Sequence, residues 1–296
     1  MSVDPPPTAV GFSRELSAME AAWLRCAQGM LEAGGAAVRP LAGTAAGRVP
    51  LGRGAGGDVT VRIDEAAEDA MLAVLADSAP APHRLVAEEA GVRETEPGAL
   101  WHVVVDPVDG SLNAKRGLGI YSGVVAVADG PRMRDVCVGL IGDLARDDTF
   151  AAVRGAGVRL AQRTAMPSLA DQVEVVLFDA GKPGRQRLGM SDLTELAPNS
   201  GVEMRVRLLG SQALSLCYLA AGAADILFSA VNARAVDIAA GLLIVAESGG
   251  GAASLGDTAI GDLPLDLEPR HPFIAWRAGI DGEAVTAAAR AIVARL

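Results

Sequence analysis

The sequence predicts an α/β protein with an α+β first half, residues 1–164, and a layered α/β second half, residues 165–296. Two observations carry that reading. Up to about residue 165, short apolar runs alternate and are divided by turn residues; beyond it, strand and helix patterns take turns. A third observation bounds it: half of the 296 residues are hydrophobic but only 3% are aromatic, so a large core must be built from Ala, Val, Leu and Ile.

Residues 1–12 read as a loose tail. Ser13 is the expected N-cap of a first helix, with Leu16, Met19, Trp23, Leu24, Met30 and Leu31 at helical spacing until Gly34 and Gly35 stop it. After a glycine-rich stretch ending in LGRGAGG, the run DVTVRID alternates like a strand, and Asp64 is the expected cap of a second helix, EAAEDAMLAVLAD. RLVAEE and WHVVVDP follow as strands, the latter running into the turn DPVDGS. YSGVVAVADG, RDVCVGLIGD and DTFAAVRG continue as strands. The second half reads as strand VEVVLFD, a polar helix near Gln186 to Leu196, strand MRVRLLG, helix SQALSLCYLAAG, strand DILFS, helix VDIAAGLLIVAESGG, strand PFIAW and a C-terminal helix. No repeat or long linker separates the halves, so they are expected to share a cleft.

A formal charge of −10, from 36 acidic and 26 basic residues, disfavours a nucleic-acid partner and favours a cation wherever carboxylates cluster. Cys26, Cys137 and Cys217 are odd in number and far apart, which reads as buried thiols in a cytoplasmic protein. The first residues carry neither a basic region nor a long apolar run, so no signal peptide is expected, and no apolar run is long enough to enter a membrane.

The densest chemistry is Asp106-Pro107-Val108-Asp109-Gly110-Ser111. Two carboxylates flank a stiff proline at a strand end, and the amides of Gly110 and Ser111 open a short helix, a natural anion site. Carboxylates beside an anion site call for a divalent cation between them, and Mg²⁺ prefers oxygen ligands. An Asx-rich surface turn explains the same residues. Glu88 and Glu89 end one strand, which also suits a solvated strand end. Asp237 opens an apolar helix, where a plain N-cap is the competing reading. Asp58, Thr60 and Asp64 form a further polar group.

GDVTVRID with Glu68 downstream, LVAEE, WHVVVDPVDGSLN, GSQALSLCYLAAGAAD and RAVDIAAGLLIVAESGG together resemble the inositol monophosphatase family, in its order and spacing. The form RAVDIAA, with Val236 in place of a Trp, looks most like the archaeal-type fructose-bisphosphatase/inositol-phosphatase branch. The resemblance implies an αβαβα sandwich and a Mg²⁺-dependent, Li⁺-sensitive phosphomonoesterase. Glu88, Asp106 and the Val108 carbonyl would hold one metal. Asp106 would bridge to a second, completed by Asp109 and Asp237, with a third and weaker one near Glu88. Asp64 and Ser111 would orient the attacking water. Asp109, Gly110, Ser111, Gly210, Ser211, Arg234 and Asp237 would face a small phosphorylated substrate. A homodimer is implied as well.

The inositol-specific members carry a Glu where this sequence has Ala230, which puts inositol selectivity in question. Fructose 1,6-bisphosphate, histidinol phosphate and 3′-phosphoadenosine 5′-phosphate remain open as substrates, as does a catalytically silent relative. Arg234 reads equally as an exposed loop residue, Ser211 as a plain helix cap, and Lys115 and Arg116 as a solvated loop. His83, His102 and His271 fall outside the implied ligands. Gly52, Gly54 and Gly57 match a dinucleotide-binding pattern, but they precede a strand instead of opening a helix.

Overall fold

The computed structural model describes residues 12–57, 59–160, 172–179, 190–197, 203–268 and 271–295. Helix α1 (Ala18–Val38) leads to strands β1 (Pro50–Arg53) and β2 (Val59–Val61), which pair as an antiparallel hairpin ahead of α2 (Arg62–Ser78). Then come β3 (His83–Ala87), β4 (Gly91–Glu94), β5 (Trp101–Asp109), α3 (Ser111–Arg116) and β6 (Ser122–Ala128). Strands β7 (Val136–Asp143), β8 (Asp148–Val153) and β9 (Gly157–Leu160) close the first half. The second contains β10 (Val175–Asp179), α4 (Met190–Thr194), β11 (Arg205–Arg207), α5 (Gln212–Ala220) and β12 (Ile226–Ala233). It ends with α6 (Ala235–Glu247), β13 (Gly251–Ser254), β14 (His271–Trp276) and α7 (Gly282–Val293).

Among the described residues, seven strands form one sheet in the order β4-β3-β5-β6-β7-β8-β9, and five form another in the order β11-β10-β12-β14-β13. In the first, β3 and β5 run parallel, so their C-terminal ends lie side by side. Period-two alternation explains how both sheets bury both faces. Val103, Val105, Val125 and Val127 face the side covered by α1 and α2, whereas Val104, Val124 and Ala126 face α5 and α6. In the second sheet Leu177 and Leu227 point at α5 and α6, whereas Val176, Phe178, Ile226 and Phe228 meet α4 and α7. The layers therefore run α1/α2, sheet, α5/α6, sheet, α4/α7: the αβαβα sandwich. Helix α6 lies between the sheets and is buried from Ala235 to Val245 without a break.

A buried ion pair closes the second sheet. Arg277, just past β14, donates Nε to Asp225 Oδ1 at 2.5 Å, and its two Nη groups donate to the carbonyls of Ala278 and Gln172. Asp225 Oδ2 accepts from the amides of Glu174 and Val175, each at 2.7 Å.

Several local readings are corrected. The N-cap of α1 is Ser17, whose hydroxyl accepts from Glu20 N while Glu20 reaches back to Ser17 N, a reciprocal capping box; Ser13 instead bonds Ala156 O. Gly34 and Gly35 lie inside α1. A methyl on Gly34 would sit 2.9 Å from the Met71 side chain, so the residue marks close packing on α2 and not a stop. Helix α2 starts at Arg62, so Asp64 stands in its first turn and accepts from Val61 N at 3.4 Å. Asp58, residues 1–11 of the expected tail and residues 186–189 of the expected Gln186–Leu196 helix lie outside the described residues; the rest of that stretch carries α4, Met190–Thr194. The three cysteines are buried, and none is in a disulfide among the described residues. Among the described residues, no helix is long and apolar enough to cross a membrane.

Candidate active site

In a regular strand, residues three apart face opposite sides, so Asp106 and Asp109 would point away from each other. The pairing of β5 with β6 shows why they do not. Asp106 opposes Val124 and Asp109 opposes Ser122, so Pro107 and Val108 together face the single residue Gly123. This is a β-bulge, one extra residue that flips everything after it. Val108 is turned into the small core beside α2, and Asp109 is turned onto the α5/α6 side that Asp106 already faces.

Glu88 follows β3 and its amide bonds Val105 O at 3.2 Å, which sets it next to Asp106 on the parallel strand. The two carboxyl groups are close enough to act on each other's charge. Asp237, in the first turn of α6, accepts from Arg234 N at 3.0 Å and thereby caps that helix. The cap reading and the shared-site reading both hold geometrically, because Asp106 experiences the charges of Glu88, Asp109 and Asp237 together.

Asp109 is held from the second half. Its oxygens accept from the Ser211 hydroxyl, from Gln212 N at 3.3 Å and from Ala213 N at 2.9 Å, so it sits at the N-terminus of α5 where a negative charge is favoured. Ser211 is at once the cap of α5 and a partner of Asp109. Gly110 adopts φ +83°, and a methyl there would lie 3.0 Å from both Gly210 O and Ile120 O; no other residue fits this approach. Ser111 opens α3 directly after it. Asn113, whose role the motif did not reveal, locks the junction by donating to Ile120 O and Leu209 O, each at 2.8 Å.

On the α2 side, Asp64 faces Lys115, Glu88 and Glu89. Its Oδ1 is buried and, among the described residues, has no hydrogen-bond partner. Glu68 accepts from Glu89 N at 3.0 Å, and Thr60 donates to Glu89. Thr60, Glu68 and Glu89 were each named from the sequence, but their mutual hydrogen bonds were not foreseen; acids one helical turn apart on α2 were the available signal.

Arg234 is not an exposed loop residue. It is 8% exposed, and its guanidinium contacts Glu88 Oε1 at 2.6 Å and Asp237 Oδ1 at 2.9 Å. One cation thus faces a surplus of acids. Burial first, then mutual repulsion, raises Asp106 well above the usual carboxylate range. Burial and Asp237 push Asp109 up to about 7. Burial likewise pushes Asp64 and Glu68 up to about 7 each, and it raises Glu88 despite Arg234. For Arg234 itself burial works against the charge, but Asp237 and Glu88 outweigh it and hold the guanidinium firmly protonated.

Among the described residues, no three acids, cysteines or histidines are arranged to grip an ion as they stand. The donor chemistry nevertheless fits a hard divalent cation: carboxylate oxygens in excess of positive charge, and an orphaned oxygen at Asp64. Gly52 to Gly57 form the tip of the β1–β2 hairpin and open no helix, so the dinucleotide pattern carries no such site.

Acids from the ends of two parallel strands, a bulge and a helix start, gathered inside an αβαβα sandwich, define a class: hydrolases of small phosphorylated metabolites. Within it, this chain belongs to the inositol monophosphatase family, whose profile matches residues 19–292. It is 34% identical over 240 residues to the fructose-1,6-bisphosphatase/inositol-1-monophosphatase of Methanothermobacter thermautotrophicus, covering 77% of this chain and 82% of that protein. It is 36% identical over 203 residues to the Nus factor SuhB of Pasteurella multocida, covering 65% and 70%. A solved Pyrococcus horikoshii protein, described as having similarities for inositol-1 monophosphatase, shares the fold. Its TM-score is 0.71 at 23% identity, over 92% of this chain and 98% of that one. As a member of this family, the chain is a phosphoric monoester hydrolase.

Proposed function

We propose that this chain hydrolyses monophosphate esters of small polyols or sugars, inositol monophosphate among them, with Mg²⁺ held by Glu88, Asp106, Asp109, Asp237 and the Val108 carbonyl. The observation that carries the reading is the convergence of Glu88, Asp106, Asp109 and Asp237 from three distant stretches of chain into one charge-coupled group. Two ions, with a third and weaker one near Glu88, are the expected complement; when bound they lower the pKa of water and neutralise charge on the phosphate.

The protein's own groups supply the rest. A carboxyl near 7, as Asp64 has, suits proton transfer at neutral pH, and its unpartnered Oδ1 leaves a place for a water that the Ser111 hydroxyl helps to orient. The amides of Gly110 and Ser111, at the start of α3, cradle the phosphate. Gly210, Ser211 and Arg234 flank the ester's organic part. Residues 1–164 supply most of the acids, and residues 165–296 supply Asp237 and the substrate-side groups. Ala230 offers no carboxylate to a polyol hydroxyl, which favours broad acceptance over inositol selectivity. We place the protein in the cytoplasm as a homodimer.

The test is a panel of phosphate esters assayed with Mg²⁺, with chelator, and with Mg²⁺ plus Li⁺. The expected result is phosphate release that chelator abolishes and Li⁺ inhibits, with inositol 1-phosphate no better than several sugar phosphates. A folded protein that releases phosphate from no ester would instead support the silent-relative reading. A strong inositol preference would remove the inference from Ala230.

A further inference from the structure

Arg234 lies in the cleft as a buried cation, pressed against acids that the proposed chemistry needs for metal. Its guanidinium is wedged between Glu88 and Asp237, two of the acids a divalent ion needs, and donates Nε and an Nη to the two oxygens of Asp237. The β1–β2 hairpin closes over it. Gly56 N bonds Glu88 O at 2.8 Å, Ala55 N bonds Glu89 O at 3.2 Å, and a methyl on Gly56 would lie 2.8 Å from Arg234 Nη1. The hairpin tip, the acid pair and the guanidinium form one packed unit.

We propose that Arg234 is a resident counter-cation: it occupies the Glu88–Asp237 pair in the metal-free protein, must swing out when a divalent ion loads, and so sets the affinity of the site for metal. The inference rests on the Mg²⁺ reading above. Its physical basis is that a buried carboxylate pair needs positive charge in either state. An entering ion replaces one cation with another, and the ion pairs it breaks subtract from the free energy of binding. The close seat of Gly56 on Nη1 makes the hairpin tip the element that must yield as the guanidinium leaves.

The test uses calorimetric titration of the full chain with Mg²⁺, without substrate. Arg234→Gln should bind Mg²⁺ more tightly than wild type, by between about 5- and 150-fold, the usual range of coupling between sites. Arg234→Lys, which keeps the charge but cannot bridge both acids in the same way, should fall between. In thermal melts Arg234→Gln should be less stable than wild type in chelator, and saturating Mg²⁺ should close that gap. A purely structural arginine predicts a deficit that metal does not repair and an unchanged or weaker affinity; either result overturns the proposal.

The wild-type protein supplies a test that needs no variant to fold. Nuclear magnetic resonance should detect slowly exchanging Nε–H groups of Arg234 and Arg277, and Mg²⁺ should abolish the protection of Arg234 alone, with Arg277 as internal control. Protection of Arg234 that persists at saturating Mg²⁺ overturns the inference. A wild-type protein that binds neither Mg²⁺ nor Mn²⁺ would instead remove the functional reading on which it stands.

Discussion

Among the described residues two arginines are buried, and their surroundings differ in kind. Arg277, 4% exposed, meets Asp225, and further donors and acceptors of both groups are met by backbone carbonyls and amides. Arg234, 8% exposed, stands among Glu88, Asp106, Asp109 and Asp237, all of which its single charge cannot balance. The first arrangement is closed and ties strand ends together. The second is left with excess negative charge and raised carboxyl pKa values, which is how a polar cluster built to receive something differs from one built to hold a fold.

Substitution of one acid from each cluster gives the largest contrast. Asp109→Asn should lower turnover roughly a thousandfold, the loss of several kcal/mol of transition-state stabilisation, while its melting temperature in chelator stays at or above that of wild type. The reason is that removing a charge relieves crowding. Near-normal turnover would remove Asp109 from the proposed chemistry. Asp225→Ala should do the opposite, taking the carboxylate away from the buried Arg277 and costing about 3–5 kcal/mol in urea unfolding. A loss below about 1 kcal/mol would rank that pair with exposed bridges and dissolve the contrast.

The pH dependence of stability sharpens it further. Asp64, Glu68 and Asp109 have carboxyls pushed up to about 7, above their unfolded values near 4, so the folded chain binds more protons between those limits. Stability from this source is fully present below about pH 4 and is lost as pH rises through about 7. Thermal melts in chelator should therefore fall from pH 5 to pH 8. A flat or rising profile would contradict the burial of uncompensated acids. The smallest expected effect is that of metal alone: millimolar Mg²⁺ at pH 8 should raise the melting temperature by several degrees, by mass action on the folded state, and no shift would count against a metal site.

Much of this was readable in the residues because the information is local. Asp106 through Ser111 is one turn, and Glu88 lies at the end of a run that pairs with its neighbour in parallel, so both could be found by pattern. The bulge at Pro107–Val108 could not, since strict alternation sends Asp109 to the wrong face and only the pairing with Ser122 reveals the correction. The position of Arg234 was equally hidden, because the segment RAV says nothing about Glu88, almost 150 residues earlier. Gly34 and Gly35 misled for a related reason: in isolation glycine ends helices, but here it admits Met71. Strands β4, β9 and β13, each of four residues, are too short for periodicity to register.

From Ala235 to Val245, helix α6 has no face toward water. A rod clamped between two sheets cannot slide or roll without disturbing both, so the main chain that carries Asp237 behaves as an anvil. Whatever accommodation the cleft makes must come from elsewhere, from the two-stranded finger opposite and from the one long side chain, Arg234, at the helix's own start. The division of labour is mechanical: one jaw is stiff by burial, and the other is free to be shaped by what it closes on.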